Sequence, residues 1–277
     1  SHGVPAAQAR ERFAQYGVLW AISQHPELRE HLVFKGGNAL DFVWCPNRST
    51  KDLDFTGLGT GWDAENLRHR FDQALQRARG RLEFQARVQK VHQNPPGPNR
   101  TMPTFQITVG YALPDDPRNQ ARLARGEASK AIIQVEVSVN ECVCGVESIL
   151  LEGGAQLQVA TLEDIVAEKL RALLQQIPRK RSRPQDLLDI AVISREGHPL
   201  NLERVRGFLR EKAEARGVDP TLEAFRNLEV WERARHGYDA LAHTSRTFIP
   251  FEGAQAAVLR LIEGMMAAEA PVLRPER

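Results

Sequence analysis

The strongest constraint on this chain is a change of hydrophobic rhythm near residue 160. Before it, apolar residues alternate at the period of a strand. Phe105, Ile107, Val109 and Tyr111 share one face of a strand expected over Thr104–Leu113, and Val135, Val137 and Val139 do so over Ala131–Val139. A further run, Leu82–Val91, sets Leu82, Phe84, Ala86 and Val88 on one face. After residue 160 the period becomes helical: Leu162, Ile165, Val166, Leu170 and Leu173 fall on one stripe. The chain is therefore expected to be α+β, with a core domain over 1–160 and a helical domain over 161–277.

Local signals fill in the elements. Phe13, Tyr16 and Trp20 predict a helix over 9–24 that stops at His25-Pro26. Leu32-Val33-Phe34 reads as a buried strand breaking into a turn at Gly36-Gly37, after which Asn38 is expected to cap a short helix through Trp44. Asp52–Phe55 alternates as a half-buried strand does. A helix over 63–79 is expected to stop at Gly80. The glycine-rich Gly57–Gly61 lacks the spacing of a dinucleotide fingerprint and reads as a flexible loop near the site. The polar connections 92–103 and 114–130 are long enough to be functional or mobile. Thr161-Leu162-Glu163-Asp164 resembles a capping box, and Pro184 suits the first turn of a helix through Ile193. Residues 200–216, 220–241 and 252–268 complete the helical part.

Composition excludes several classes. Of 277 residues, 42% are apolar and 26% charged, an ordinary soluble profile. No run approaches the roughly 20 apolar residues of a membrane span, and the first residues carry no export pattern, so a cytoplasmic setting is expected. Three cysteines, Cys45, Cys142 and Cys144, without a C-x-x-C pair argue against a disulfide framework or a structural zinc site. Net charge is only +2, but Arg179, Lys180, Arg181 and Arg183 crowd into one segment. Clusters of this kind, like the loop bearing Arg118, Arg122, Arg125 and Lys130, can meet phosphate.

The chemistry-bearing stretch is Gly36-Gly37-Asn38, thirteen intervening residues, then Asp52-Leu53-Asp54. Strand residues two apart project together, so both carboxylates share a face. Like charges that close repel unless a cation lies between them, and hard oxygen donors suit Mg²⁺, with Mn²⁺ an acceptable substitute. A glycine turn upstream lets backbone N–H groups approach phosphate unobstructed. Glu136, on the polar face with Gln134 and Ser138, is the expected third carboxylate. An acid between Val135 and Val137 is costly unless paired or metal-bound.

The segment FKGGNALDFVWCPNRSTKDLDF resembles motif I of the DNA polymerase β-like nucleotidyltransferases, and especially the AbiEii/AbiGii toxin branch, with its MenT-type relatives. Arg48, Thr50, Asp52 and Asp54 match the motif's tail, with Thr50 in place of Ser. Asn38 stands where the family has Thr or Ser. Thr161–Leu173 is similar to the family's E-K-L-x-A-L helix, and Arg183–Asp189 to its R-x-K-D-x-x-D motif, with Gln185 in place of Lys. The resemblance implies a polymerase β-like core, a mixed sheet flanked by helices; a pocket between the two halves is expected because ligand sites favour such junctions.

It further implies Mg²⁺-dependent transfer of a nucleoside monophosphate from an NTP to an acceptor hydroxyl. Asp52, Asp54 and Glu136 would hold the metal. Gly36, Gly37, Asn38, Arg48 and Thr50 would line the phosphates. Lys169 would supply a point charge, and Asp186 and Asp189, three apart on a helix, would orient Lys169 or Arg48. Many such proteins are toxins with a cognate antitoxin, and some extend tRNA 3′ ends, which makes tRNA the first expectation for the acceptor. The alternatives are nucleotidylation of a protein or small molecule, or a non-catalytic NTP-binding module. Modification of Ser49 or Thr50 is one route by which an antitoxin would act.

Overall fold

The computed structural model describes residues 6–82, 85–97 and 100–267. The chain forms two compact units. The first comprises the chain up to Glu141 together with Val146–Ala160; the second comprises Cys142–Gly145 and the chain from Thr161 onward.

The first unit is built on a seven-stranded mixed sheet. In chain order its elements are α1 (Ala6–Gln24), α2 (Pro26–His31), β1 (Leu32–Lys35), α3 (Gly36–Ala39), a π-helical turn (Leu40–Trp44), β2 (Asp52–Gly57), α4 (Ala64–Leu82), β3 (Gln85–Asn94), β4 (Thr104–Ala112), α5 (Pro117–Ala124), β5 (Ile132–Val139), β6 (Val146–Leu150) and β7 (Gln156–Ala160). The spatial order is β3-β4-β5-β2-β1-β7-β6. β2 runs parallel to β5 and β1 parallel to β7, while the other neighbours are antiparallel.

Alternation gives the sheet an apolar face. Leu53, Phe55, Val135, Val137, Ile107 and Val109 are all buried, and α1 and α4 pack on each other and against strands of this sheet. Phe34 stacks on Phe55 with ring centroids 5.2 Å apart. The opposite face carries the acids.

Several expected boundaries move. Asn38 does not cap a helix; it lies inside α3, and the helical path continues as a π turn to Trp44. Gly80 does not stop α4, which runs on to Leu82. Leu82 is thus helical rather than part of a strand, and Phe84 lies outside the described residues. The third apolar run becomes β3, starting at Gln85, with a bulge between Val88 and Lys90. The connection 114–130 contains α5, whose N-cap Asp116 accepts from the Asn119 N–H. β6 and β7 had no clear sequence signal. Gly57, at the far end of β2 from Asp52, would drive a Cβ into Trp62, so the glycine loop begins about 10 Å along the strand from Asp54.

The second unit is helical: α6 (Leu162–Arg179), α7 (Pro184–Arg195), α8 (Leu202–Glu214), α9 (Leu222–Arg226), α10 (Leu228–Arg235), a 3₁₀ turn (Asp239–His243) and α11 (Phe251–Ala267). The single helix expected over 220–241 is three pieces. Thr221 and Asn227 each cap a new start, and Gly237, with φ of 76°, turns the chain after α10. The capping box at Thr161 is only half formed. Thr161 accepts from the Asp164 N–H at 3.3 Å, but the Asp164 carboxylate turns instead to the N–H groups of Cys144 and Gly145.

Candidate active site

The acids gather on the polar face of β2 and β5. Strand register sets Asp54 opposite Glu136 and Asp52 opposite Gln134. Because directly paired residues share a face, Asp52, Asp54 and Glu136 project to one side. Burial, and then the nearby Glu136 charge, raise the Asp52 pKa. Like charges held near one another through oxygen donors alone fit a hard divalent cation of the Mg²⁺ or Mn²⁺ type.

The neighbouring strand fixes this face by side-chain rungs. Gln106 on β4 donates its amide to Glu136 Oε1 at 2.9 Å, and Thr108 donates to Gln134 at 3.1 Å. On the other side, Lys35 is the register partner of Asp54, yet its ammonium pairs with Glu141, which also accepts from the Thr56 hydroxyl at 3.3 Å. Gln106, Lys35 and Glu141 were not among the sequence candidates. Their signal was register, which a sequence does not display.

The glycine bend lies against the acids. Gly36 has φ of +73°, and a Cβ there would collide with the Asp54 carboxylate; a Cβ on Gly37 would reach 2.7 Å from the Thr50 methyl and 3.7 Å from an Arg48 guanidinium nitrogen. Gly36 is thus required by conformation and close approach, and Gly37 by close approach alone. Asn38 is fully buried. Its amide donates to the carbonyls of Thr50 and Asp52 at 2.8 and 2.7 Å, and its oxygen accepts from Arg12 at 3.0 Å. The Asn38 side chain therefore stitches the bend to the acidic strand. Arg12, from α1, also pairs with buried Asp41 at 2.7 Å and locks the bend from behind.

In the second unit Lys169 on α6 lies between Asp186 and Asp189 of α7, at 2.7 and 2.8 Å. The i,i+3 spacing of the two aspartates puts both on one helix face, and both engage Lys169. All three side chains are buried. The basic segment follows at the end of α6, where Lys180 adopts the left-handed conformation (φ 50°). Gln176, fully buried, holds the loop by accepting from the Arg183 N–H at 2.7 Å. Arg171, Arg179, Arg181 and Arg183 line one cleft. Burial and then the charges of Arg216, Arg171, Arg181 and Arg183 lower the Arg179 pKa, as crowding among cations does. Arg216, from beyond α8, joins a cluster that sequence spacing could not assign to it. The basic connection of the first unit differs, because Arg122 and Arg125 both pair with Glu127.

A mixed sheet with an acid pair beside a glycine bend is the framework of a nucleotidyltransferase. The chain belongs to the AbiEii family of nucleotidyl transferase toxins of type IV toxin–antitoxin systems, whose profile matches residues 18–257. Its fold is similar to that of a protein from H. pylori assigned as a nucleotidyltransferase, with a TM-score of 0.56 and 14% identity over 96% of this chain and 97% of that one. JHP933 from Helicobacter pylori is equally similar, at a TM-score of 0.56 and 14% identity over 96% and 94% of the two chains. No curated protein matches the sequence. The chain is thus a nucleotidyltransferase by family. No helix among the described residues is long and apolar enough to cross a membrane.

Proposed function

We propose that this protein transfers a nucleoside monophosphate from an NTP to the 3′ end of a tRNA, releasing pyrophosphate, and acts thereby as a toxin countered by a cognate antitoxin. One observation carries the reading: Asp54 and Glu136 stand in register on parallel strands, with Asp52 on the same face beside a side-chain-free bend. Asp52 and Asp54 would hold Mg²⁺ on the triphosphate, and with Glu136 a second ion beside the acceptor hydroxyl. Bound there, the ions would neutralise charge on the entering and leaving oxygens of in-line displacement.

The chain's own part is positioning. Gly36 and Gly37 offer bare backbone to phosphate oxygens, flanked by Arg48 and Thr50. Asn38 keeps that bend at a fixed distance from Asp52 through its two carbonyl contacts. Gln106 orients Glu136. Lys169 is a positive charge immobilised by Asp186 and Asp189. The crowded guanidiniums of Arg179, Arg181 and Arg183, with Lys180, meet the RNA backbone, where phosphates would relieve their mutual repulsion.

The test is incubation of the protein with each labelled NTP, Mg²⁺ and total tRNA. The expected product is tRNA lengthened at its 3′ end, with binding that weakens steeply as salt rises. Absence of transfer to any RNA with any nucleotide removes the tRNA assignment. Transfer to protein instead, with little dependence on salt, redirects it to a protein acceptor.

A further inference from the structure

The segment Cys142–Gly145 joins β5 to β6 in sequence but packs as part of the helical unit. It is held firmly there. The N–H groups of Cys144 and Gly145 donate to Asp164 Oδ1 at 2.7 and 3.3 Å, and the Lys212 ammonium donates to the Cys142 carbonyl at 2.7 Å. Lys212 and Asp164 are themselves paired at 3.0 Å, each side chain only 4% exposed. Burial works against the Lys212 charge, but Asp164 and Glu168 outweigh it and raise its pKa. On this support the sulfur atoms of Cys142 and Cys144 have turned to within 3.4 Å of each other. Alternate residues of an extended chain stand about 6.6 Å apart, so the two side chains converge rather than merely share a face. A carboxylate oxygen of Glu211, from α8, completes a group whose ligand atoms all lie within 4.8 Å of one another.

We propose that Cys142, Cys144 and Glu211 form a binding site for a thiophilic divalent cation, Zn²⁺ by preference. Two sulfurs and one oxygen are a borderline-soft donor set, unlike the all-oxygen trio Asp52, Asp54 and Glu136, so the two sites select different metals. Tetrahedral zinc with Zn–S bonds of about 2.3 Å separates its sulfurs by about 3.8 Å, so the thiols need to part by only about 0.4 Å. Both cysteines are half-buried and Glu211 is exposed, which leaves a solvent-side position for a water as fourth ligand. Binding exchanges two thiol protons, released to solvent, for one dication held by two thiolates and a carboxylate. The third ligand comes from a helix remote in sequence, so C-x-C alone does not announce the site. Occupied, the site would tether the β5–β6 connection to α8.

The experiment is an anaerobic Co²⁺ titration of the reduced full-length protein. One equivalent is expected to give sulfur-to-cobalt charge-transfer absorption, which an all-oxygen site cannot produce, and Zn²⁺ is expected to bleach it. Cys142→Ser and Cys144→Ser should each abolish the band, Glu211→Gln should weaken affinity about tenfold, and Cys45→Ser should change nothing. Peptide mapping after alkylation of the unaltered protein gives a readout independent of variant folding: Zn²⁺ should shield Cys142 and Cys144 from the reagent. Lack of the band in the unaltered protein, its survival in the doubly substituted C142S/C144S protein, or equal alkylation with and without Zn²⁺ would each overturn the proposal.

Discussion

The two units each gather carboxylates, but they treat them oppositely. In the sheet unit, Asp52, Asp54 and Glu136 share a partly exposed face, where the charge of Glu136 adds to burial in raising the Asp52 pKa. In the helical unit, Asp186 and Asp189 are buried against one lysine that satisfies both. The first arrangement sets acid beside acid on an open face. The second has its cation built in. Acids that raise one another's pKa on an open face suit a site that takes up a cation, whereas acids paired on a buried lysine mark one that is preorganised.

The largest effect that would break this comparison is on turnover. Asp54→Asn should lower nucleotidyl transfer by about a thousandfold or more, ~4 kcal/mol of transition-state stabilisation. Its thermal melting should stay close to that of the unaltered protein. Normal turnover in a folded variant would sink the metal-ligand assignment of the sheet acids.

The converse holds for the helical unit. Lys169→Met strands two buried carboxylates and should cost about 3–5 kcal/mol of stability, read by denaturant unfolding. Replacing Asp186 and Asp189 with leucine in the same background should restore most of it. If Lys169→Met unfolds at the same denaturant concentration as the unaltered protein, the triad is not an internally paired unit. Activity measured in the restored triple variant then reports what the three charged groups contribute together, free of the stability loss.

What could be read from sequence follows the same division. The polar face of β2 and β5 was legible because Asp52, Asp54, Gln134, Glu136 and Ser138 obey a period of two that any strand imposes. The glycine bend was legible because Gly36-Gly37 follows an apolar run. The role of Asn38 was not: a carboxamide reaching Thr50 and Asp52 depends on the loop folding back, which no local pattern encodes. β6 was hidden because its residues are largely exposed and its pattern is not apolar on alternate positions. The helix expected over 220–241 failed because Thr221 and Asn227 prefer caps to helix interiors, a local preference that beat the longer periodicity. Gly80 failed in the opposite sense, since α4 tolerates a glycine within its last turn at a cost of about 1 kcal/mol.

A smaller effect tests whether the bend belongs to the acid face. Gly36→Ala places a side chain at φ of +73°, costing about 1–2 kcal/mol, and pushes on the Asp54 carboxylate. Turnover is expected to fall at least tenfold while unfolding shifts only modestly. Gly80→Ala, where a Cβ meets nothing within 4 Å, should leave turnover unchanged and raise stability slightly. Equal turnover in the two variants would separate the bend from the chemistry.

The smallest effect sharpens the comparison most, because it reads the sheet acids without any reaction. With a chelator present, Asp52→Asn removes a carboxyl whose folded pKa is raised by burial and by Glu136. A group raised on folding contributes stability that is full below its unfolded pKa and is lost as pH climbs through the folded value. The unaltered protein should therefore lose stability relative to Asp52→Asn between acid and neutral pH, so that at pH 7 the variant melts slightly higher. Adding Mg²⁺ with NTP should reverse the order, since only the unaltered protein keeps both strand-β2 ligands. A variant that melts lower at every pH, with and without the ion, would mean that Asp52 is already paired by the fold, as Asp186 is, and the contrast between the two units would vanish.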